Sequence, residues 1–367
     1  MDDYRILKNA LVDGELTDIV VRAGKIVSIG KTSTTGEFLD IGGKMLLPGL
    51  VDIHSHGCIG IDTMDAHPLK MAEMRRYMKK NGITTWLPTT MTVAMSDIGD
   101  KTSEGLIDIG EDGCDIVGFH MEGPYINKKY KGAQNEAHIK NPSVEEFKQL
   151  EGIKMVTIAP ELEGSEELIR YCAENGIVVS LGHTDCDFDC AETAFRAGAK
   201  CLTHTFNAMP PMLHRAPGPI GAALVNDGYA QVICDGQHIH RAAIIALYRM
   251  FGADRMVLIS DSMAATGLGD GNYVFGGLDI TVKDGIARTE GGALAGSTTN
   301  LMGCVKKAIE FGIPPMDAFK MASETPAALM GLKKGKIEVG YDSQFIVLDE
   351  NYDLVDVLNL KGDLINT

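Results

Sequence analysis

The sequence predicts a (β/α)8 barrel of the TIM type with a small accessory β domain, and three observations lead to that prediction. The 367-residue chain is too long for one small domain and suits a barrel plus a smaller unit. Eight short apolar runs alternate with segments of helical spacing, which is typical of parallel strands covered by helices. Histidines and carboxylates recur at the ends of these runs, where barrels carry their functional groups.

The eight predicted strands are brief and apolar, and they span residues 50–54, 83–88, 116–120, 155–159, 177–181, 201–204, 231–234 and 256–260. Apolar residues at helical spacing predict helices between them, at 68–80, 166–175, 190–198 and 241–251. A doubly wound open sheet would show the same alternation of strands and helices. The polar residues that follow successive strands favour the closed barrel instead.

The two ends of the chain differ in pattern from its middle. The segment "LTDIVVRAGKIVSIG" alternates β-branched runs with turns that contain glycine, as hairpins do, and the tail "GKIEVGYDSQFIVLDENYDLV" is similar. We therefore predict a small β-sandwich domain assembled from residues 1–47 and 335–367. The barrel domain is predicted to span residues 48–334.

The composition is that of an ordinary globular protein with an acidic balance of charge. Hydrophobic residues make up 45% of the chain and charged residues 23%, so a large core can form. The formal net charge of −16 argues against a nucleic-acid partner and against an anionic membrane surface. From the residue pattern we expect neither a signal peptide nor a membrane span. The eight cysteines include no C-x-x-C pair, which indicates reduced thiols, so we expect a cytoplasmic protein.

Two histidines follow the first predicted strand, in the segment "DIHSHG". Side chains two residues apart in a strand point to the same side, so His54 and His56 should lie side by side at the mouth of the barrel. An H-x-H pair taken alone is more often structural than ligating. Here three further residues of ligand type stand at other strand ends, namely Glu122, His183 and His204. Imidazole and carboxylate ligands suit zinc, iron or manganese, so the sequence predicts a divalent metal site.

Glu122 and Asp261 are the acidic residues at these strand ends. Glu122 lies in "FHMEGPY", and its two carboxylate oxygens would allow it to bridge two metal ions, which a histidine cannot do. Alternatively, it accepts a hydrogen bond from a loop amide. Asp261 lies in "LISDSM" after the eighth strand and is either part of the site or the N-cap of a helix.

Seven motifs between about residue 40 and residue 300 resemble those of a known family. They are "GKMLLPGLVDIHSHG", "GFHMEGPYINKKYKGAQNEAHI", "SLGHTD", "THTFNAMPPMLHRAPG", "ICDGQHIH", "LISDSMAATG" and "GALAGSTTNL". The chain resembles the amidohydrolase superfamily and, within it, the N-acetylglucosamine-6-phosphate deacetylases. The combination of "HMEGPY" with "THTFNAM" is specific, because other amidohydrolases usually have a lysine in place of this glutamate. The terminal β segments also resemble the split small domain of the family.

The resemblance implies a role for each residue of the metal site. Glu122, His183 and His204 match the ligands that the family shares. His54 and His56 match members that hold a second metal, whereas other members lack this pair and use one metal. One or two divalent ions per chain are therefore expected.

The resemblance also implies which residues act on the substrate. Asp261 matches the catalytic aspartate of the family and would also contact the metal. The amino-sugar phosphate would be held at the matching positions, which are Ala133, Gln134, Asn207, Ala208, Arg215, His238, Leu294, Ala295 and Gly296. Some members have a histidine that polarises the acetyl carbonyl where this chain has Gln134, and a glutamine can donate a hydrogen bond but carries no charge. A homodimer is also implied.

The implied reaction is hydrolysis of N-acetylglucosamine 6-phosphate to glucosamine 6-phosphate and acetate by metal-activated water, with Asp261 as the acid/base group. Two other functions stay open at this point. The same site could hydrolyse a cyclic amide or an N-acyl amino acid, although Arg215 and the "FNAM" loop favour a phosphorylated substrate. A non-catalytic scaffold would be expected to have lost metal ligands, and this chain retains them all.

Overall fold

The computed structural model describes residues 4–34, 36–65, 67–106 and 112–360. One sheet combines strands from both ends of the chain: β1 (Tyr4–Val12), β2 (Glu15–Arg22), β3 (Lys25–Ile29), β4 (Glu37–Asp40), β5 (Met45–Pro48), β20 (Gln344–Leu348) and β21 (Leu354–Asn359). The C-terminal strands join through β5, where Phe345 pairs antiparallel with Pro48. Strands from the N-terminal and C-terminal segments of the described chain therefore share one sheet, while the predicted β-sandwich domain stays a prediction. Residues 1–3 and 361–367 of the predicted small domain lie outside the described residues.

Parallel strands occupy the eight positions that the sequence predicts. They are β6 (Leu50–Ser55), β9 (Ile83–Pro88), β10 (Asp115–Ile116), β11 (Phe119–Glu122), β12 (Ile153–Ile158), β13 (Val178–Leu181), β14 (Cys201–Leu202), β15 (Tyr229–Ile233) and β16 (Met256–Ile259). Two sheets result, in the orders β10-β9-β6 and β11-β12-β13-β14-β15-β16. The predicted strand 116–120 is divided into β10 and β11, because Gly118 between them adopts a φ of 134°.

Helices follow most of these strands and cover the parallel sheets. They are α1 (Pro68–Lys80), α2 (Met95–Gly105), α3 (Val144–Phe147), α4 (Ser165–Glu174), α5 (Phe188–Ala197), α6 (Gly218–Val225), α7 (Arg241–Phe251), α8 (Leu301–Glu310), α9 (Pro315–Met321) and α10 (Glu324–Leu329). The bounds of α1 and α7 agree with the prediction. Helix α5 begins before the predicted residue 190, because the Asp187 side chain caps it by accepting a hydrogen bond from the Cys190 amide at 2.9 Å.

Two smaller strand groups complete the described fold. A short antiparallel pair, β7 (Gly57–Cys58) and β8 (Ile61–Asp62), follows the H-x-H segment, and β17 (Gly271–Phe275), β18 (Leu278–Lys283) and β19 (Ile286–Thr289) form an antiparallel sheet. Three single-turn 3-10 helices span Thr63–Asp65, Lys128–Tyr130 and Glu136–His138. Among the described residues, no helix combines the length and the apolar character needed to cross a membrane.

Candidate metal centre

The six side chains predicted as metal ligands converge on one buried point. They form two adjoining groups, in each of which the ligand atoms lie within 4.8 Å of one another. The H-x-H group consists of His54, His56 and Asp261, and the glutamate group consists of Glu122, His183 and His204. The structure also decides between the two interpretations of Asp261, since no helix in the described part of the chain begins at this residue.

Glu122 lies between the two groups. Its Oε1 atom is 3.3 Å from Nε2 of His54 and of His183, and 3.1 Å from Nε2 of His204. Its Oε2 atom is 3.3 Å from Nε2 of His56. The carboxylate therefore contacts histidines of both groups, which is the placement that a bridging ligand requires.

The backbone turns several of these side chains inward at the ends of their strands. His183, His204 and Asp261 all have positive φ angles, of 50°, 28° and 46°. This conformation is uncommon outside glycine and costs free energy, and it is concentrated at functional sites. It brings Oδ1 of Asp261 to 3.2 Å from Nε2 of His56 and 3.5 Å from Nε2 of His54.

The hydrogen bonds of the outer ring nitrogens indicate that these residues fit a metal ion. His183 donates from Nδ1 to the carbonyl of Tyr130 at 2.7 Å, and Nδ1 of His54 lies 2.9 Å from Oε1 of Gln231. A neutral imidazole that donates through Nδ1 has a lone pair on Nε2. Both Nε2 atoms face a Glu122 oxygen, so two acceptors face each other unless a proton or a cation lies between them. Four imidazoles and two carboxylates suit zinc, iron or manganese.

Burial and contacts between imidazole and carboxylate act in opposite directions on the pKa values in the centre. Burial alone would lower the pKa of His56, but hydrogen bonds to Asp261 and Glu122 raise it to about 10. Burial would raise the pKa of Asp261, but the charges of His54 and His56 bring it down to about 2. A divalent cation therefore competes with protons for these ligand atoms.

A cavity of about 200 Å³ opens onto the centre. It is lined by most of the residues predicted to bind substrate, namely Ala133, Gln134, Asn207, Ala208, His238, Leu294 and Gly296. The other two predicted residues, Arg215 and Ala295, are not among its lining residues. Arg215 is exposed, and Ala295 is fully buried in an apolar cluster with Met91 and Met263.

The cavity also contains residues that the sequence analysis did not identify. Phe275, at the end of β17, packs its ring edge against His56 with a centroid separation of 5.1 Å. Ile233 and Gly132 are further lining residues. No motif identified in the sequence points to Phe275, because its contact with His56 depends on how the β17–β19 sheet folds over the strand ends.

Gln134 lies in the cavity wall, and its amide group is already engaged. Its Nε2 atom donates to Oε2 of Glu122 at 2.6 Å, and its Oε1 atom accepts from the Thr92 amide at 2.8 Å. The Thr92 contact fixes which end of the amide faces the carboxylate. Gln134 therefore orients the Glu122 carboxylate in this structure, and its expected contact with a substrate carbonyl stays a prediction.

His238 is the basic side chain of the cavity outside the metal cluster. Its Nδ1 atom lies 2.7 Å from Oδ2 of Asp235, whose other oxygen accepts from the backbone amides of Gln237 and His238. Burial would lower the pKa of His238, but the hydrogen bond to Asp235 raises it above the ordinary value. Asp235 was not predicted from the sequence. Its position two residues after β15, in "ICDGQHIH", would have supported a role in the site.

Comparisons with known proteins show which family the chain resembles in sequence. The sequence profile of the Amidohydrolase family matches residues 45–365. The chain is 35% identical over 343 residues to the N-acetylglucosamine-6-phosphate deacetylase of Vibrio furnissii, covering 89% of this chain and 84% of that protein. It is 32% identical over 360 residues to the N-acetylgalactosamine-6-phosphate deacetylase of Escherichia coli O157:H7, covering 95% and 91%.

A solved structure extends the similarity to the whole fold. The N-acetylglucosamine-6-phosphate deacetylase of Thermotoga maritima superimposes with a TM-score of 0.88 at 34% identity, over 97% of this chain and 98% of that one. The similarity in sequence and in fold spans most of each protein. The chain therefore belongs to the amidohydrolase family.

Proposed function

We propose that this protein is a metal-dependent deacetylase that converts N-acetylglucosamine 6-phosphate to glucosamine 6-phosphate and acetate. The observation that carries the proposal is the convergence of six ligand side chains beneath a cavity lined by seven residues of the predicted substrate site. The names of the similar proteins support the same substrate class. A non-catalytic scaffold is disfavoured, because the full set of ligand side chains is present and brought together.

We infer that the parallel strands close into one (β/α)8 barrel. A parallel bridge between Thr89 and His120 links β9 to β11, and the backbone amide of Asp261 donates to the His54 carbonyl at 2.9 Å, which links the end of β16 to β6. These contacts support continuous closure around both junctions. The domain limits, the β-sandwich, the homodimer and the cytoplasmic location stay predictions.

We propose that the centre holds up to two divalent ions, with Glu122 between them. The H-x-H group would hold one ion and the glutamate group the other. A bound ion would act as a Lewis acid toward the acetamide carbonyl and would make a coordinated water more acidic. The protein contributes the buried, preorganised ligands and the cavity that positions the amide.

Asp261 is the proposed acid/base residue of the reaction. It is buried, it lines the cavity, and its carboxylate is held at the edge of the H-x-H group by His56. It would accept a proton from the attacking water and return that proton to the departing nitrogen. Because the contacts with His54 and His56 lower its pKa, the carboxylate form is the resting form at neutral pH.

The acidic chain must attract a phosphorylated sugar through a few local donors. Outside the six ligand-type residues, His238 is the basic group that lines the cavity, and Arg215 is an exposed guanidinium on the loop before α6. Asn207 and Ala208 also line the cavity, at the turn that follows His204. We propose that these residues bind the sugar phosphate.

Acetate release on a defined set of substrates tests the proposed function. The purified enzyme, reconstituted with zinc, iron or manganese, should release acetate from N-acetylglucosamine 6-phosphate, and removal of the metal with a chelator should abolish the activity. N-acetylgalactosamine 6-phosphate is included because one similar protein is named for it. Hydrolysis of a cyclic amide or an N-acyl amino acid, with neither sugar phosphate cleaved, would contradict the proposal.

Arg215→Ala is expected to lower kcat/KM for N-acetylglucosamine 6-phosphate by about 10- to 150-fold, the range for loss of one charge-assisted hydrogen bond. Hydrolysis of unphosphorylated N-acetylglucosamine should hardly change, since it lacks the group that the guanidinium would contact. Arg215→Lys should recover only part of the loss, because an ammonium cannot form a two-pronged contact. Equal losses on both sugars, or no loss on either, would remove Arg215 from the phosphate site.

Asp235→Asn is expected to shift the alkaline limb of the kcat/KM profile to lower pH. The positive form of His238 is present below its pKa and is lost as the pH rises through it. Asp235 raises that pKa, so removing the carboxylate lowers it and the attraction for an anionic substrate ends at lower pH. Asp279→Asn is the matched control, because Asp279 is an exposed carboxylate on β18. An alkaline limb that stays in place would show that His238 does not act as a cation.

A further inference from the structure

Gln231 is a fully buried polar side chain in β15 that the proposed mechanism does not use. Its neighbours in the strand, Ala230 and Val232, are fully buried and apolar. An uncharged amide in such a place needs partners for both its oxygen and its nitrogen. Oε1 lies 2.9 Å from Nδ1 of His54, and Nε2 donates to Sδ of Met155 at 3.7 Å.

The contact with Met155 determines which way the amide points. A thioether sulfur is only an acceptor, so it pairs with the NH₂ end of Gln231 and leaves the oxygen facing His54. The imidazole must then carry its proton on Nδ1. The lone pair on Nε2 consequently faces Oε1 of Glu122 and Oδ1 of Asp261, at 3.3 and 3.5 Å. In the opposite tautomer, a proton on Nε2 would prevent His54 from binding an ion.

Within the described part of the chain, Gln231 is also the one side chain hydrogen-bonded to an outer ring nitrogen of the H-x-H group. Nδ1 of His56 is buried without a hydrogen-bond partner among the described residues. In the glutamate group, His183 is anchored by the backbone carbonyl of Tyr130, which no side-chain substitution removes. Nδ1 of His204 likewise has no partner among the described residues, so a substitution at Gln231 acts directly on His54 and removes no anchor from the glutamate group.

We propose that Gln231 is a positioning residue that fixes the tautomer and ring orientation of His54, and thereby sets the affinity of the H-x-H group for its metal ion. This inference rests on the metal-dependent function proposed above. Its test measures the binding of ions and not the hydrolysis of a substrate. The inference and the proposed function can therefore be contradicted independently of each other.

The test uses the metal-loaded enzyme and three variants. Gln231→Leu removes the acceptor at similar size and should weaken the binding of one ion by about 10- to 100-fold, the usual effect of losing such an outer partner. The affinity for the other ion should not change. Gln231→Glu keeps the acceptor and adds negative charge. It should increase the affinity for the same ion, because a carboxylate makes the imidazole a better ligand. Competition with a chelator, followed by elemental analysis, measures both affinities.

Gln344→Leu is the matched control. Gln344 is likewise a buried glutamine in a strand, 5% exposed, but its partners are Lys334 and Asp115. This variant should lose stability and retain both ion affinities.

Three outcomes would overturn the inference: unchanged affinities in Gln231→Leu, equal weakening of both ions, or a wild-type enzyme that binds one ion at most. The last would leave deacetylation by a single ion standing. If Gln231→Leu does not fold, Gln231→Glu still tests the proposal, because an unchanged or lower affinity for that ion would contradict it.

Discussion

Replacing Asp261 with asparagine is expected to lower kcat by about 10²- to 10⁴-fold, the range for loss of a general acid/base group. Asparagine has nearly the same shape and keeps an oxygen near His56, but it cannot accept the proton of the attacking water. The Oδ1 contacts of 3.2 and 3.5 Å with the H-x-H histidines are the geometric basis for this expectation. Steady-state deacetylation with metal-loaded protein measures the effect.

The controls for Asp261→Asn separate chemistry from metal loss. Metal content, determined on the same preparation, should stay close to that of the wild type, and the thermal unfolding midpoint should change little. Turnover close to that of the wild type would show that Asp261 is only a passive ligand. Loss of an ion together with loss of turnover would instead place its main contribution in metal binding.

The double substitution His54→Gln and His56→Gln is expected to remove one ion and retain the other. Glu122, His183 and His204 form a complete group of their own, with Nε2 of His183 and His204 only 3.1 Å apart, so they can hold an ion without the H-x-H pair. Glutamine keeps a polar side chain in each place, which limits the cost of burial. Elemental analysis after reconstitution gives the number of ions per chain.

A matched pair of substitutions in the other group makes the result specific. His183→Gln with His204→Gln should remove the ion of the glutamate group and leave the H-x-H group with its three ligands. If neither the wild type nor any variant binds more than one ion, the two groups do not act as separate sites. Loss of all metal from the H-x-H variant would show instead that the ions bind only together.

The positions of the strands and of the six ligand-type residues could be predicted from the sequence. Short apolar runs between helical segments define a parallel sheet, and residues that follow such runs must meet at one edge of it. Alternation within a strand places His54 and His56 on the same side. Strand ends thus predict five of the six side chains as ligands, whereas Asp261 is assigned to the metal only through the family resemblance, and the structure brings all six together.

The partners of those ligands depended on the tertiary structure. Gln231 lies 177 residues from His54, so no local spacing links the two, whereas Asp235 lies only 3 residues from His238 and just after a strand, a position that could have suggested it. The cap at Asp187 and the interruption at Gly118 shifted element boundaries for local reasons of hydrogen bonding and backbone angle. The backbone amide of Thr92, which is remote in sequence, donates a hydrogen bond to Oε1 of Gln134. The NH₂ end of the Gln134 side chain therefore points toward Glu122.

By itself, the sequence determined which chemical groups lie at the strand ends. Each strand is recognisable from a short local pattern, and the same pattern of strand, polar residue and helix recurs along the chain. Only the tertiary structure decided which of the predicted substrate residues face the cavity. Arg215 lies exposed, and Ala295 packs in an apolar cluster, although both belong to motifs that resemble the substrate site. Phe275 reaches His56 from a separate antiparallel sheet. The direction of a loop side chain is set by long-range packing, and a motif records only which residue is present.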